Sequence, residues 1–444
     1  MSTTVVPRGA DFAPSARCGL RASGAVWTSR LRRGADFAPP ARCPPAVVRV
    51  SGSMSELLTG DFYSFEELLD TDERAVLHRV REFLRSEVAP IANEYWARAE
   101  FPTELVKSYA ELGIAGRAYP DVQGPKPTSL LSGFLALEMA HTDASMATFF
   151  GVHSGLAMGS IADCGDAAQR TRWLPPMSRM ELLGAFALTE PEGGSDVAGG
   201  MRTTARRSGD EWVLDGRKRW IGNATFADLL VVWARDVDDG QVKGFVVEKD
   251  TPGLTATKIE NKIALRSVQN ADVVLDGCRV PEANRLQNAR SFRDTARILR
   301  ATRSGVAWQA VGVMLAAYEI ALRYAGEREQ FGRPIAAFQL VQDLLVRMLG
   351  NVTSSFGMVV RLAQLQDAGT YRDEHSALAK AHCTSRMREV VGWARELLAG
   401  NGIVLDHDIG RFVADAEALY SYEGTREINS LVVGRAITGH GAFV

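Results

Sequence analysis

Between residues 62 and 185 apolar positions recur every three or four residues, the period of an amphipathic helix. Asp70 and Glu73 read as a capping box, and Val76, Val80 and Phe83 follow on one face. Segments 103–115, 128–142 and 145–163 keep the helical period, with Ala and other small residues allowing close packing. Pro102, Pro120, Gly124-Pro125 and Pro175-Pro176 punctuate the joins. From 186 to 285 the period becomes two. Trp212-Val-Leu-Asp-Gly216 leads through a turn into Arg219-Trp220-Ile221, and Leu229–Trp233 reads as a buried strand. Asp239-Gly240 turns the chain into Gly244–Glu248, and Ala271–Leu275 and Cys278–Val280 follow. Short turns without intervening helices predict an antiparallel barrel or sandwich. After about 290 the helical period returns in segments 304–325, 335–367, 374–400 and 412–438. The third carries Met387, Val390, Val391, Ala394, Leu397 and Leu398 on one stripe and stops at Gly400-Asn-Gly402. Four such helices predict a four-helix bundle. The fold expected is α+β: a helical domain over 54–185, a β domain over 186–290 and the bundle over 291–444.

Residues 1–53 stand apart. They hold eight Arg against two acids, and Arg8-Gly-Ala-Asp-Phe-Ala-Pro-Ser-Ala-Arg-Cys18 recurs as Arg33-Gly-Ala-Asp-Phe-Ala-Pro-Pro-Ala-Arg-Cys43. Two copies this short bury no core. A disordered tail, a transit peptide and a start that truly lies at Met54 all fit. The last is favoured, because Met54-Ser-Glu-Leu-Leu opens directly into patterned sequence.

The 444 residues, 46% hydrophobic, allow two or three domains with cores. A formal net charge of −2 gives no reason to expect nucleic acid or an acidic membrane as partner. No uninterrupted apolar run reaches the roughly 18 residues that cross a bilayer. The five scattered cysteines argue for a reducing compartment, and a cytoplasmic protein is expected. The seven histidines are scattered, so no metal site is expected.

Five motifs carry chemistry. Ala187-Leu-Thr-Glu190-Pro-Glu-Gly193-Gly194-Ser195-Asp196 is a Gly-rich loop whose backbone could approach a flat ring or a diphosphate. Arg219-Trp220-Ile-Gly222-Asn223 sets a Trp beside a Gly. Arg328-Glu-Gln330-Phe331-Gly332-Arg-Pro334 is followed by Gln339. Glu396-Leu-Leu-Ala-Gly400-Asn-Gly402 closes the third helix, and Tyr422-Glu423-Gly424-Thr425 sits in a break between helices. Singly, the Gly-rich loop, the Trp and the Glu423 turn each read better as an ordinary loop, a core residue and an exposed turn.

In this order and spacing the five motifs resemble the acyl-CoA dehydrogenase family over residues 62–444. Ser267–Asn270 and Gly332–Gln339 look most like glutaryl-CoA dehydrogenases and short-chain acyl-CoA oxidases. The resemblance implies an FAD enzyme that converts a short- to medium-chain acyl-CoA into a trans-2-enoyl-CoA. It implies that Glu423 removes the α-proton while the β-hydrogen leaves as hydride to the flavin, and that Arg303 orients the base. Some members carry the base at the position of Thr302, so here Glu423 has no rival. Leu188, Thr189, Ser195, Trp220 and Gly222 match flavin-side positions, and Thr425 and Glu427 match further FAD contacts. Arg328, Gln330, Phe331, Gln339, Glu396 and Gly400 match residues that reach the FAD of a neighbouring subunit, which implies a homotetramer. The implied partner is an electron-transferring flavoprotein; an oxidase passing electrons to O2 would share the site.

Three positions depart from the family pattern. Gly222 stands where most members place a Thr, and Ala399 replaces a Gly, a change expected to be tolerated at a helix end. Ala147 stands where glutaryl-CoA dehydrogenases place an Arg for the distal carboxylate, so glutaryl-CoA decarboxylation is expected to be lost.

Overall fold

The computed structural model describes residues 60–442 except Pro120 and Gln123, so the repeat-bearing segment 1–53 lies outside the described residues. The helical part begins with α1 (Thr71–Phe83) and α2 (Ala89–Arg98), joined through a π-helical turn at Leu84–Val88, and continues with α3 (Leu105–Leu112) and α4 (Ser129–Thr142). Next come α5 (Ala144–Phe150), a π-helical stretch at Gly151–Ala157, α6 (Met158–Cys164) and α7 (Ala167–Ser178). Asp70 caps α1 by accepting from the Glu73 N–H at 2.8 Å. The reciprocal half of the expected capping box is absent: the Glu73 carboxylate accepts instead from the Thr128 hydroxyl at 2.7 Å, tying α1 to the start of α4. Pro175 and Pro176 do not end α7 before it starts its last turn; they lie within that turn, and the helix stops two residues on.

The middle of the chain forms a seven-stranded sheet: β1 (Gly184–Ala187), β2 (Thr204–Ser208), β3 (Glu211–Ile221), β4 (Leu229–Asp236), β5 (Val242–Glu248), β6 (Leu254–Lys258) and β7 (Ala271–Pro281). Two pairings differ from the antiparallel expectation. β1 and β2 both run parallel to β4 and share one of its edges end to end, at Leu229–Val232 and Arg235–Asp236 respectively. The other pairings, β4 with β5, β3 with β2 and β7, and β6 with β7, are antiparallel. Strand β4 is buried on both faces: Leu230, Val232 and Ala234 fill the inside of the curled sheet, while Leu229, Val231 and Trp233 join the core of the helices.

The last part contains α8 (Phe292–Glu327), a small hairpin of β8 (Glu329–Gln330) and β9 (Arg333–Pro334), α9 (Gln339–Asp367), α10 (Asp373–Leu397), α11 (Ile409–Ser421) and α12 (Arg426–Thr438). Helix α8 starts a dozen residues before the expected 304, because Ser291 caps it and Asp294 bonds back to the N-cap. The expected fourth helix is two helices, broken at Tyr422–Thr425. By length and composition α8 could cross a membrane, but its apolar window is 83% buried inside the protein. It is the core helix. Helix α4 crosses it at two glycines: a Cβ on Gly133 would lie 2.1 Å from the Trp308 ring, and one on Gly312 would lie 2.2 Å from the Leu137 carbonyl. Those glycines let α4 sit directly on the bundle, so helical domain and bundle share one core.

Beneath that junction lies a buried charged cluster. Arg411 of α11 donates to Asp143, the N-cap of α5, at 2.8 Å and to Asn93 of α2 at 2.9 Å. Asp415, one turn on, accepts from the Trp96 indole at 2.8 Å and the Leu265 N–H at 2.6 Å through one oxygen. Its second oxygen has no partner among the described residues. Burial, aided by the Asp143 charge, lifts the Asp415 carboxyl to about 7 against the pull of Trp96 and Arg411. The folded form therefore holds a proton that the unfolded form, titrating near 3.8, releases. Between those values stability falls as pH rises. Asp415→Asn keeps the shared acceptor and cannot ionise. Thermal melts from about pH 5 to pH 7.5 should show wild type losing ground to the variant as pH rises; parallel curves would contradict the raised carboxyl.

Candidate active site

The break between α11 and α12 presents Glu423 in the left-handed region, φ +54, followed by Gly424 at φ +83. Non-glycine residues rarely hold such a conformation unless their surroundings fix it. Contacts on both sides help to fix it here. Thr425 caps α12, its hydroxyl accepting from the Ile428 N–H at 3.3 Å. Asn429, fully buried, donates to the Gly424 carbonyl at 2.8 Å. The Tyr422 hydroxyl, on the other side, donates to Gln309 of α8 at 2.7 Å.

The Glu423 carboxylate accepts from the Thr302 hydroxyl at 2.6 Å. Burial pushes the carboxyl above the ordinary range, opposed by the Thr302 hydrogen bond and by the charges of Arg303 and Lys380. An acid with a raised pKa is the better proton acceptor at neutral pH. Arg303 follows Thr302 on α8, and among the described residues its Nε has no hydrogen-bond partner.

The residues expected on the flavin side assemble separately. The Arg219 N–H donates to the Thr189 carbonyl at 2.9 Å, and the Thr189 hydroxyl donates to the Arg219 carbonyl at 2.5 Å. These bonds bring Leu188, Thr189, Trp220 and Gly222 into one patch. Trp220 sits at φ +65 and is 54% exposed as a residue, so it is displayed and not part of the core. Ser195 lies in the adjoining exposed Gly-rich loop. A buried acceptor, the Asn223 side-chain oxygen beside Gly222, is unpaired among the described residues. A displayed indole, a residue without Cβ and an exposed glycine loop fit a flat ring carrying a diphosphate.

The π-helical stretch links this patch to the carboxylate. A Cβ on Gly222 would stand 3.3 Å from Val152, and one on Gly155 would stand 3.7 Å from the Thr302 methyl. One short wall thus touches both Gly222 and the residue bonded to Glu423. Helix α5 adjoins it, since Gln309 also donates to the Ala147 carbonyl at 3.4 Å.

Other expected site residues lie elsewhere. Arg328, Gln330, Phe331, Gln339, Glu396 and Gly400 are all exposed, and Phe331 is 92% exposed at φ +52. Asn401 donates to the Tyr324 hydroxyl at 3.0 Å, which anchors the Glu396–Gly402 motif at the far end of α8. Twenty-two residues, about 33 Å at 1.5 Å each, separate Tyr324 from Thr302 on that helix. Within one chain this group does not meet Glu423. Glu427 is exposed and paired with Arg426 at 2.9 Å. Ala399, expected to be a tolerated change, holds φ +51, a left-handed conformation that costs an Ala about 1–2 kcal/mol. A cavity of ≈ 670 Å³ between α10 and α11, lined by Arg388, Glu417, Tyr420 and Arg426 among others, includes none of these groups.

Sequence models for the N-terminal, middle and C-terminal domains of acyl-CoA dehydrogenases match residues 70–181, 185–278 and 292–438. This chain belongs to the acyl-CoA dehydrogenase family. It is an oxidoreductase with that family's three-part fold, and the family acts on acyl-CoA and binds FAD. The mitochondrial short-chain specific acyl-CoA dehydrogenase of Mus musculus is 34% identical over 376 residues, covering 84% of this chain and 91% of the relative. A glutaryl-CoA dehydrogenase from Mycobacterium smegmatis is 37% identical with a TM-score of 0.82, covering 86% of this chain and 98% of that one. A glutaryl-CoA dehydrogenase from the same organism in complex with FADH2 is 33% identical with a TM-score of 0.83, over the same shares of both chains.

Sequence reading missed Thr302 as a partner of Glu423, and it missed Lys380, Gln309 and Asn429 altogether. Only Lys380 left a trace, as a charge on the stripe Ala377, Lys380, Thr384, Met387 at helical spacing.

Proposed function

We propose that this enzyme oxidises a short, uncharged acyl-CoA to its trans-2-enoyl-CoA, with Glu423 as the base at the α-carbon. The observation that carries this is a carboxylate raised by burial, held at φ +54 and bonded to Thr302, one wall away from the flavin-side glycine. Glu423 takes the α-proton, while Thr302 and the Arg303 charge keep the carboxylate ionised and aimed before it acts. Leu188, Thr189, Ser195, Trp220 and Gly222 would hold FAD, which supplies a two-electron acceptor for the β-hydride. The exposed groups around Phe331 and Gly400 fit a role on a neighbouring copy, since one chain keeps them about 33 Å from the base. A homotetramer passing electrons to an electron-transferring flavoprotein is the assembly this reading carries.

Substrate class follows from α5, which carries no charged residue; Ala147 in it is buried. A distal carboxylate there would go unpaired at a cost of several kcal/mol. A panel of C4 to C16, isobutyryl, isovaleryl and glutaryl thioesters, run with a dye and with O2 as acceptors, tests this. The expected result is turnover of short neutral thioesters with the dye, little with O2, and no CO2 from glutaryl-CoA. Release of CO2 from glutaryl-CoA would overturn the substrate class.

A further inference from the structure

Lys380 lies on the inner stripe of α10 with no exposed surface. Its ammonium donates to two backbone carbonyls, Tyr420 and Gly424, each at 2.7 Å. Among the described residues no carboxylate lies within ion-pairing distance of it. Burying an ammonium against carbonyls alone is costly, and an apolar residue would suit the stripe better.

What the two carbonyls share is their position on either side of Glu423. Tyr420 is in the last turn of α11, where carbonyls lack intrahelical donors, and Gly424 directly follows the base. The ammonium therefore bridges the break that holds two consecutive left-handed residues. Asn429 donates to the Gly424 carbonyl as well, so that oxygen is held from two directions. A bridge at this point restricts the rotation that would let the strained peptide relax and turn the carboxylate away.

We propose that Lys380 is a positioning residue for Glu423: it clamps the break from inside the bundle and presents a buried positive charge to the carboxylate. This rests on the reading of Glu423 as the base.

The charged groups acting on Lys380 are Glu423 in the break, Arg303 from α8 and Glu427 from α12. Glu423 in turn faces Arg303 and Lys380. Burial lowers the lysine to about 8, so it is charged at pH 7. A cation favours the ionised carboxylate. Removing it raises the pKa of Glu423 further, and the acid limb of kcat/KM, which reports ionisation of the base, moves to higher pH.

The test uses full-length FAD-loaded enzyme with butyryl-CoA as probe, comparing wild type, Lys380→Met, Lys380→Arg and Glu423→Gln. Melting temperature and flavin content control for folding. For Lys380→Met the expected result is an acid limb moved up by about one unit, kcat lower by about tenfold at pH 7 and KM within about threefold. Lys380→Arg keeps the charge and should restore the limb. A folded, flavin-loaded Lys380→Met with the wild-type limb and kcat overturns the proposal. Should that variant not fold, Lys380→Gln replaces it. A limb above that of Lys380→Arg then supports the clamp, and coincident limbs overturn it. The two readings separate cleanly. Activity retained in Glu423→Gln removes the base itself; an inactive Glu423→Gln beside an unshifted Lys380→Met removes only the role of Lys380.

Discussion

Glu423→Gln should fold, bind FAD and bind butyryl-CoA, yet turn it over about 10²- to 10⁴-fold more slowly than wild type. The substitution keeps the size of the side chain and its bond to Thr302, because an amide oxygen accepts that hydroxyl as a carboxylate oxygen does. It removes only the ability to take a proton. A loss in kcat with KM nearly unchanged is the pattern for an interaction made in the transition state alone. Relief of burial should, if anything, stabilise the variant, since the neutral amide no longer resists its surroundings as the ionised carboxyl does. A variant that melts no lower than wild type and is inactive would separate chemistry from folding. Retained α,β-desaturation would show that another group removes the proton.

Arg411→Met should lower the unfolding free energy by about 3–5 kcal/mol, the cost of leaving a buried charge without its partner. Arg411 is 3% exposed and joins three elements, through Asp143 at the start of α5, Asn93 of α2 and its own α11. Without it, Asp143 keeps, among the described residues, the Met146 N–H and stands near the ionisable Asp415. The urea midpoint at pH 7.5 reads the loss. Arg411→Met with Asp143→Leu should recover part of it, because removing both charges avoids the unpaired one. A single variant within about 0.5 kcal/mol of wild type would mean that the pair is solvated and not part of the junction.

The order helix, strand, helix was legible because the spacing of apolar residues changes from three or four to two near 186 and back near 290. Strand partners were not legible. Leu229–Trp233 reads as buried on both faces, yet alternation says nothing about which strand lies on which edge, and β4 has parallel neighbours on one side. The early start of α8 was readable in Ser291 and Asp294, a capping pair that the weaker apolar pattern of 292–303 concealed. For the site, Trp220 and Gly222 and the break at Glu423 were visible as motifs. Their supports were not. Lys380 acts through contacts 40 and 44 residues away in sequence and Gln309 through one 113 residues away, and nothing local marks a lysine on an apolar stripe as a clamp. The Arg328–Gln339 motif was legible as chemistry, but its distance from Glu423 along α8 emerges only once the helix is seen to run unbroken from Phe292 to Glu327.

Removal of an α-proton by Glu423 with passage of a β-hydrogen to flavin is read out by mixing FAD-loaded enzyme with butyryl-CoA under anaerobic conditions and following the 450 nm absorbance. Rapid bleaching is expected, slowed when deuterium is placed at either C2 or C3 of the acyl chain. Flavin that stays oxidised with every acyl-CoA offered, or bleaches at a rate indifferent to deuterium at C2, would contradict it.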